Sequence, residues 1–536
     1  MINVPVCIIG CGPIGLAGAL LLARFGVRSL VVERRDEVNT HPRSRFVDTN
    51  TMELMRFLGL EKAVEGTGLG PDWTEYNRWF STLTGQQIAA IPSPTFHTVP
   101  RNTSPTMPVM TCQDYVEHIL LGEARANERV ELRYRTEALE VTQDADGATV
   151  VVRDLDSGQE SAVRADYALG TDGPHSSVRE AIGSALETAP LATFSQDVIF
   201  EADLSEYVAG RKGGLLYNAA PSGMLVFQPL NGVTRWRCQI PKADPEPLTQ
   251  AETIARIREA VGTDDEVPIS ITSTGMWQPT PGCVDRLSRG RVFLAGDAAH
   301  ISVPTGGMGN NIGFAGIRNL AWKIAYVLKG VSPPGILDTY HVEHRPIALE
   351  RVATGVHTTE CMARIFFAFY AGQETSEAVR DTAQYADYDG VLLGFELESA
   401  LIAKNPEPPP AVNNPTRDFV PAVRAGRRAP HVWVDERRNW SVLDWFGMEY
   451  ALVGGASVAA GRWREAVRRV AENAGFPVCW QQLPGPDAAP YDPFGLALVL
   501  RDGIIADWWS DADVGDSHVE ARLRERLPLR ESVSTG

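Results

Sequence analysis

Hydrophobic positions at the start of the chain form two short apolar runs, separated by a glycine-rich turn and an Ala/Leu-rich segment. Residues 4–9 and 29–33 have the length and the β-branched content of buried strands. Residues 16–25 have the composition of a helix, and Gly26 follows where a helix C′ residue is expected. The order strand, helix, strand predicts a parallel βαβ unit with a right-handed crossover.

The hydrophobic pattern changes further along the chain. Strand-and-turn patterning dominates residues 180–280, as in segments 224–228 and 234–240. Helical periodicity returns at residues 311–329 and again at 345–370. A region of strands is therefore expected between two regions of mixed or helical structure.

A proline-rich stretch at residues 405–421 predicts a semi-rigid linker. The pattern beyond it predicts, in order, a strand at 450–453, a helix at 463–474, a strand at 477–481, a hairpin turning at Asp502-Gly503 and a helix at 518–527. This order resembles a thioredoxin-like domain. Cys479 is its only cysteine, so a redox role lacks a resolving partner and we expect a structural role.

Composition narrows the choice of partners. The 536 residues include 50 Lys and Arg against 67 Asp and Glu, which gives a formal net charge of −17 at pH 7. This balance argues against a nucleic-acid or anionic-membrane partner, and no apolar stretch of about 18 residues suggests a membrane span. Seven scattered cysteines do not form a disulfide framework, and we expect a reducing cytoplasm.

The glycines of the first turn have the spacing G-x-G-x-x-G. Such glycines allow a tight turn, close approach of a pyrophosphate to the backbone, and packing of the helix on the strand. Glu33 closes the second strand, where a carboxylate accepts from an adenosine ribose hydroxyl. The pattern predicts a dinucleotide site, and by itself it leaves NAD and FAD open. The predicted contacts are Gly10, Gly12, Pro13, Ile14, Gly15, Glu33 and Arg34.

Two later segments each end a strand with an Asp-Gly or Gly-Asp turn, at Asp172-Gly173 and at Gly296-Asp297. The second is followed by a glycine-rich loop at residues 304–313 and a helix. With these three motifs in this order, the chain resembles the group A flavin-dependent aromatic monooxygenases, the para-hydroxybenzoate and phenol hydroxylase superfamily. Within it, the chain looks most like the polyketide hydroxylases that carry an extra C-terminal domain.

The resemblance implies FAD as cofactor, with Asp297 on the ribityl chain and Asp172 on the pyrophosphate side. An aspartate at a strand end can accept from ribityl hydroxyls, and a glycine-rich loop that opens a helix offers N–H groups to the flavin edge. Segment 41–45 and Gln113 match further family contacts with FAD. The FAD contacts implied beyond the first turn are Arg43, Arg45, Gln113, Asp172, Gly296, Asp297, Pro304, Gly307, Gly309, Asn310 and Asn311.

The predicted fold is α/β: a Rossmann-like FAD-binding domain interrupted by a mostly antiparallel β substrate domain, plus a C-terminal thioredoxin-like domain without a CxxC motif. We expect the FAD-binding domain at residues 1–72, 101–180 and 286–400, the substrate domain at 73–100 and 181–285, the linker at 401–421 and the C-terminal domain at 422–536.

The implied reaction reduces FAD with NADPH or NADH, captures O₂ as a flavin C4a-hydroperoxide and hydroxylates a phenolic or polycyclic, polyketide-like aromatic substrate. Aromatic side chains expected on strands facing the flavin are Tyr217, Phe227, Trp236 and Trp277, and candidate bases are His97, Tyr217 and His300. No metal is predicted. A Baeyer–Villiger or ring-rearranging monooxygenase and a non-catalytic flavin-binding protein remain alternatives, and the oligomeric state, including a homodimer, stays open.

Overall fold

The structure is a computed structural model with an α/β architecture. Its described residues are 2–38, 41, 43–93, 103–455, 460–474, 478–483, 490–491, 495–509, 521, 523 and 525–526. The strands are β1 (Ile2–Ile9), β2 (Ser29–Val32), β3 (Phe46–Val47), β4 (Tyr76–Phe80), β5 (Gln87–Pro92), β6 (Val109–Met110), β7 (Val130–Arg133), β8 (Thr136–Gln143), β9 (Ala148–Asp154), β10 (Glu160–Gly170), β11 (Leu186–Thr188), β12 (Phe194–Glu201), β13 (Leu216–Ala220), β14 (Gly223–Pro229), β15 (Arg235–Lys242), β16 (Ser270–Trp277), β17 (Gly282–Val284), β18 (Ser288–Arg289), β19 (Val292–Leu294), β20 (His300–Ile301), β21 (Tyr450–Gly454), β22 (Val478–Gln482), β23 (Leu496–Val499) and β24 (Ile505–Trp509).

Helices cover the sheets and join the parts of the chain. They are α1 (Pro13–Arg24), α2 (Thr49–Leu58), α3 (Glu61–Glu65), α4 (Pro71–Thr74), α5 (Gln113–Ala126), α6 (Ser177–Ala181), α7 (Gln250–Val261), α8 (Met308–Leu328), α9 (Thr339–Tyr370), α10 (Ser376–Ala383), α11 (Asp389–Leu393) and α12 (Ala460–Ala474). Among the residues described above, none of these helices is both long and apolar enough to cross a bilayer.

The first sheet has the strand order β18-β19-β10-β1-β2-β7, with β8 and β9 extending it from β10. Strand β1 pairs in parallel with β2 and with β10, and β10 pairs in parallel with β19. The βαβ unit predicted from the sequence is therefore confirmed. The register aligns Ile9 with both Val32 and Gly170, and Gly170 with Leu294. The turns that follow these four strands consequently meet at one edge of the sheet.

The second sheet has the order β16-β12-β15-β14-β13-β4-β5 and is antiparallel except for the β13–β4 pair. The strands predicted at 224–228 and 234–240 are confirmed as β14 and β15. The strands of this sheet come from residues 76–92 and 194–277, so they interrupt the strands and helices of the first region along the chain. The mostly antiparallel sheet expected at this place in the fold is thus present.

The C-terminal region has its own sheet, in the order β22-β21-β23-β24. The strand predicted at 450–453 and the hairpin around Asp502-Gly503 are confirmed as β21 and the β23–β24 pair, and α12 confirms the predicted helix. Strand β22 begins at Val478. Residues 405–421 contain no helix or strand. Of the helix predicted at 518–527, the structure describes residues 521, 523, 525 and 526, and all four are helical. The thioredoxin-like classification of this region stays a prediction.

Candidate functional site

The glycine turn after β1 leaves open space at the start of α1. Gly10 has a φ of +105°, and a Cβ built on it would lie 2.4 Å from the Thr171 carbonyl oxygen. A Cβ on Gly15 would lie 2.0 Å from the Gly10 carbonyl oxygen, whereas one on Gly12 would meet nothing within 4 Å. Among the described residues, no side chain caps the helix that begins at Pro13. The N–H groups of its first turn are therefore available to an anion.

Glu33 holds the end of β2 against the glycine turn. Its Oε2 accepts a hydrogen bond of 2.9 Å from the Cys11 N–H, and its Oε1 accepts from the Nε and the backbone N–H of Arg35, each at 3.0 Å. Burial acts to raise the pKa of Glu33, but the hydrogen bonds from Arg35 and Cys11 lower it below its usual range. Arg34, which the sequence singled out, is exposed, and the neighbouring Arg35 forms the ion pair instead.

Three elements meet closely around Ile14. Gly296 has a φ of +63°, and a Cβ on it would lie 3.1 Å from Ile14 Cγ1. A Cβ on Gly313 would lie 2.7 Å from Ile14 Cδ1 and 3.1 Å from Gly296 Cα. The start of α1, the start of α8 and the Gly-Asp turn thus pack into one compact cradle, in which a larger residue at Gly296 or Gly313 would collide with Ile14.

Asp297 is a half-buried carboxylate in this cradle, and it has no hydrogen-bond partner among the residues that the structure describes. Burial raises the pKa of Asp297, and the nearby Arg43 opposes that shift. An ionised group withdrawn from water without a partner is costly. The hydroxyl groups of a bound polyol, such as the ribityl chain of FAD, would donate to Asp297 the hydrogen bonds that no described residue provides.

The glycine-rich loop opens α8 with two residues in the left-handed region. Gly306 has a φ of +78° and Gly307 a φ of +61°, and a Cβ on Gly307 would lie 2.6 Å from Phe46 Cβ. The Pro304 carbonyl accepts from the Gly307 N–H at 3.0 Å, and no side chain of the described residues caps α8. The first-turn N–H groups of α8, around Gly309 and the half-buried Asn310, are thus as free of side-chain caps as those of α1 in this part of the chain.

The side chain of Asn311 is fully engaged within the protein. Its Oδ1 accepts from the Asp48 N–H at 3.0 Å and from Thr51 Oγ1 at 2.7 Å. Its Nδ2 donates to the carbonyls of Phe46 at 2.9 Å and Gly307 at 2.8 Å. Asn311 therefore joins the glycine-rich loop to the start of α2, and only its backbone remains for a cofactor.

Arg45 and Gln113 hold the 43–45 segment in place. Both η nitrogens of Arg45 donate to the Gly214 carbonyl, at 3.0 and 3.1 Å, and burial lowers the pKa of Arg45 to about 10. Gln113 accepts from the Ser44 N–H at 3.2 Å and donates to Glu117 at 2.7 Å. Both predicted contacts thus bind protein groups that border the candidate site.

Asp172 is engaged locally at the start of α6. It accepts from Ser176 Oγ at 2.5 Å, from the Val178 N–H at 3.2 Å and from Ser177 Oγ at 3.3 Å. Gly173 has a φ of +87°, and a Cβ on it would meet nothing within 4 Å. The carboxylate of Asp172 shapes this turn, which lies at the same sheet edge as the glycine turn.

The four aromatic residues expected to face the flavin lie on opposite faces of the second sheet. Phe227 and Trp236 are in the core cluster that includes residues of α7, and Trp236 Nε1 donates to the Ala202 carbonyl at 3.1 Å. Tyr217 is on the other face, stacked on Trp79 with ring centroids 4.6 Å apart. Because side chains alternate along strands, Phe227 and Trp236 cannot line one pocket with Tyr217. For these two, the expectation is corrected.

The Tyr217 face carries a buried polar group that the sequence did not reveal. Arg237 forms an ion pair with Asp197, and both side chains are only 4% exposed. Arg237 also donates to the Arg43 carbonyl at 2.9 Å, so this face touches the segment beside the glycine cradle. The Nε of Arg237 and the Nε1 of Trp277, on the same face, are buried with no partner among the described residues. The sequence did contain a signal for this group: the alternation in Trp236-Arg237-Cys238 puts Arg237 on the sheet face opposite to its two neighbours.

The two candidate bases that the structure describes, His300 and Tyr217, are not poised for proton abstraction. His300 is fully buried, burial lowers its pKa to about 4, and its ring contacts that of His344 with centroids 5.7 Å apart. Burial raises the pKa of Tyr217 well above its usual value. His97 lies outside the described residues. Both described groups are therefore neutral at physiological pH.

Taken together, a βαβ unit, an acidic residue at the second strand end, a Gly-Asp turn and a glycine-rich helix start define an FAD-binding α/β protein. The FAD binding domain family matches residues 3–354 of the chain. The chain belongs to this family, and it is an FAD-dependent monooxygenase.

Similar proteins extend over the whole chain. A 4-methyl-5-nitrocatechol 5-monooxygenase of Burkholderia sp is 31% identical over 98% of this chain and 97% of its own. An aklavinone 12-hydroxylase of Streptomyces purpurascens is 32% identical over 96% and 97%. A solved flavin-dependent monooxygenase, PieE, in complex with FAD and substrate, superposes with a TM-score of 0.88 at 27% identity, covering 98% of this chain and 99% of that one. Aklavinone-11 hydroxylase with FAD and aklavinone gives a TM-score of 0.84 at 30% identity over 98% and 99%.

Proposed function

We propose that this monooxygenase hydroxylates a phenolic or polycyclic, polyketide-like aromatic compound, with NADPH or NADH as transient reductant and O₂ as oxidant. The observation that carries the proposal is the partnerless carboxylate of Asp297 in a cradle of glycines, beside a sheet face with unpaired buried donors, all among the described residues. The activities named for the aklavinone hydroxylases and the nitrocatechol monooxygenase support the substrate class.

The residues around the cradle divide the work of holding FAD. The Gly10–Gly15 turn and the α1 N-terminus would hold the pyrophosphate, and Glu33 would accept from the adenosine ribose. Asp297 would accept from the ribityl chain, and the amides at the start of α8 would stabilise the negative charge of the reduced flavin. Bound FAD supplies hydride acceptance and oxygen activation. The protein orients it and excludes water.

The substrate site lies between this cradle and the Tyr217 face of the second sheet. The Nε of Arg237 and the Nε1 of Trp277 donate to phenolic or quinone oxygens, which fixes the ring relative to the flavin. Asp197 offsets the charge of Arg237 on this buried face, while the nearby buried Arg45 adds a positive charge that favours electron-rich oxygens of the substrate. Tyr217 and Trp79 form an aromatic pair on this face and pack against Phe366 of α9, so they support the site from within the core.

The division into domains proposed from the sequence is supported by the way in which the strands of the second sheet interrupt those of the first. All seven cysteines are free, and six of them are buried. These unpaired thiols support our proposal of a reducing cytoplasm as the compartment.

The test begins with the absorption spectrum of the purified protein and with FAD release on denaturation. NADPH and NADH oxidation is then measured with simple phenols and with polycyclic phenols, and ¹⁸O₂ incorporation is followed by mass. One labelled oxygen on an intact aromatic ring supports hydroxylation. An ester or lactone product would instead indicate Baeyer–Villiger chemistry. Bound FAD without reductant oxidation on any substrate would favour the non-catalytic alternative.

A further inference from the structure

Helix α2 is joined both to the glycine-rich loop and to the C-terminal region. At its start, the Asp48 N–H and Thr51 Oγ1 bind Asn311, which in turn holds the Gly307 carbonyl. The next turn of α2 carries Glu53, whose partners include a residue more than three hundred positions away. One short helix therefore spans the distance from the C-terminal region to the proposed flavin site.

Glu53 and Arg428 form a buried, bidentate ion pair. Arg428 Nε donates to Glu53 Oε2 at 2.9 Å and its Nη2 donates to Oε1, and both side chains are 5% exposed. Ser104 Oγ donates to the same Oε1 at 2.7 Å, and Arg428 Nη2 also donates to the Thr103 carbonyl at 2.9 Å. Bidentate geometry restricts the position of both partners. The pair thus restricts where α2 can lie.

The C-terminal region also holds α8 directly. Asp502, in the β23–β24 turn, accepts from Asn319 Nδ2 at 3.1 Å and from Trp322 Nε1 at 3.2 Å. The C-terminal region therefore contacts both α2 and α8, and Asn311 links these two helices at their N-terminal ends. A displacement of α2 relative to α8 would have to break or lengthen the hydrogen bonds of Asn311.

We propose that Arg428 is a positioning residue for the flavin site, acting through Glu53 and α2 on Asn311 and the Gly306-Gly307 turn. The inference rests on the proposed flavin site. It assigns the C-terminal region a function in shaping the loop that faces the flavin ring, beyond covering a surface of the protein.

A second interdomain ion pair supplies the matched control. Arg56, near the C-terminal end of α2, makes a bidentate contact to Asp444 with Nε–Oδ1 and Nη2–Oδ2 distances of 2.7 and 2.8 Å. The side chains of Arg56 and Asp444 are 21% and 14% exposed, and Arg56 lies farther along α2 from Asn311 than Glu53 does. Both pairs are bidentate and join the same two regions, and they differ in their distance from the loop. The control pair is also more exposed, and Arg56 additionally binds Glu61 at 2.8 Å.

The test compares two double variants. E53Q/R428Q removes the charges of Glu53 and Arg428 together, because removal of one would leave the other uncompensated. Arg318 of α8, whose Nη1 lies 4.0 Å from Glu53 Oε2, then keeps Asp502 as its acidic neighbour. R56Q/D444N does the same for the control pair. Hydrogen exchange of the peptide covering residues 304–311 is measured in the apoprotein, and the FAD dissociation rate and flavin midpoint potential are measured in the holoprotein.

We expect E53Q/R428Q to increase the rates of hydrogen exchange in the loop and of FAD dissociation by about 2- to 30-fold, the range of coupling seen along such networks. The flavin midpoint potential should shift as well. R56Q/D444N should leave all three near wild type. Equal effects of the two pairs, or none from the first, would overturn the proposal. R428K keeps the charge but loses the fork geometry, so it should change the same readouts less, and it serves if the double variant does not fold.

The proposed function can fail separately. A wild-type protein that takes up no FAD would contradict the flavin site, whereas exchange in the apoprotein still reports whether Arg428 positions the loop. Exchange that is unchanged by E53Q/R428Q, in a protein whose wild type binds FAD normally, would contradict only the role of Arg428.

Discussion

The Cα of Gly296 and the position of a Cβ on Gly313 would be only 3.1 Å apart, so two segments of the candidate site approach each other almost at backbone contact. Gly296 precedes Asp297, and Gly313 lies one turn into α8. This closeness brings the carboxylate and the amides of the helix start into one cradle. It also makes the site sensitive to single methyl groups.

Gly313→Ala should therefore reverse the usual effect of alanine in a helix. Gly→Ala in a helix interior normally stabilises by about 1 kcal/mol. Here the new methyl would lie 2.7 Å from Ile14 Cδ1, and overpacking costs about 1–3 kcal/mol. We expect a lower melting temperature of the apoprotein and weaker FAD binding, measured by thermal denaturation and titration.

Gly122 provides the comparison for that variant, because it lies in the exposed face of α5, where an added Cβ would meet nothing within 4 Å. Gly122→Ala should stabilise the protein by about 1 kcal/mol and leave FAD binding unchanged. Stabilisation by both alanines would mean that the cradle has more room than the close approach implies.

Asp297→Asn should weaken FAD binding by about 10- to 150-fold, because it removes the charge from hydrogen bonds worth about 1.5–3 kcal/mol. The apoprotein should respond in the opposite sense. A pKa raised in the folded state means that stability falls as the pH rises from the unfolded value of about 3.9 through the folded value. Apo Asp297→Asn should thus be at least as stable as wild type at pH 7 by urea denaturation. Loss of apoprotein stability would contradict this account.

Gly307→Val should slow flavin reduction more than it weakens FAD binding. The residue needs a φ of +61°, and a Cβ would lie 2.6 Å from Phe46 Cβ, so the loop must move away from the flavin edge. Loss of one oriented donor where charge develops costs about 10²–10³ in rate. Stopped-flow reduction at matched FAD occupancy measures the change. Gly372→Val, with a φ of +66° and open space around it, carries similar backbone strain outside the site and should reduce at the wild-type rate.

Glu33→Gln should flatten the acid limb of the stability profile of the apoprotein. The folded pKa of Glu33 is lowered, so its contribution is present above the ordinary value of 4.5 and is lost as the pH falls through the folded value. Charged hydrogen bonds of this kind contribute about 1.5–3 kcal/mol, and the partly exposed Arg35 places the expected loss near the lower end. Urea denaturation between pH 7 and pH 3 tests it. Parallel profiles for the two proteins would exclude a role for this carboxylate.

Substitution of the Arg237–Asp197 ion pair on the Tyr217 face should weaken substrate binding more than it lowers the stability of the fold. The double variant D197N/R237Q avoids an unpaired buried charge and should raise KM for an aromatic substrate about tenfold, the loss of about one hydrogen bond. Trp236→Phe, on the opposite face, should lower stability by about 1–3 kcal/mol and leave KM unchanged. A change in KM for Trp236→Phe, with none for D197N/R237Q, would indicate that the substrate binds on the Trp236 face of the sheet and would contradict the proposed site.

The elements that follow from local pattern were predictable. The apolar runs and glycines before residue 34 predict β1, α1 and β2, since strand and helix periods and turn glycines act over a few neighbouring residues. The strands β14, β15 and β21 were found in the same way. The Gly-Asp turn and the glycine-rich loop were equally visible, because their backbone geometry depends on glycine itself.

The partners of side chains were not predictable in this way. Asn311 looks like a flavin contact in the sequence, yet its four hydrogen bonds go to residues of α2, the segment before it and the adjoining turn. Alternation separates Phe227 from Tyr217, but only tertiary packing decides that α7 covers the Phe227 face and that α9 packs on the Tyr217 face. Arg428 and Glu53 are 375 positions apart, and no local pattern links them.

The order of the elements and the glycine turns of a dinucleotide site could be read from the sequence, because they depend on short-range backbone geometry. The choice of FAD over NAD came from the resemblance of three spaced motifs to a family. The tertiary structure alone decided which charged groups are buried together and which sheet face meets the cradle. Those outcomes depend on contacts between distant segments, where burial makes each hydrogen bond and ion pair specific to one geometry.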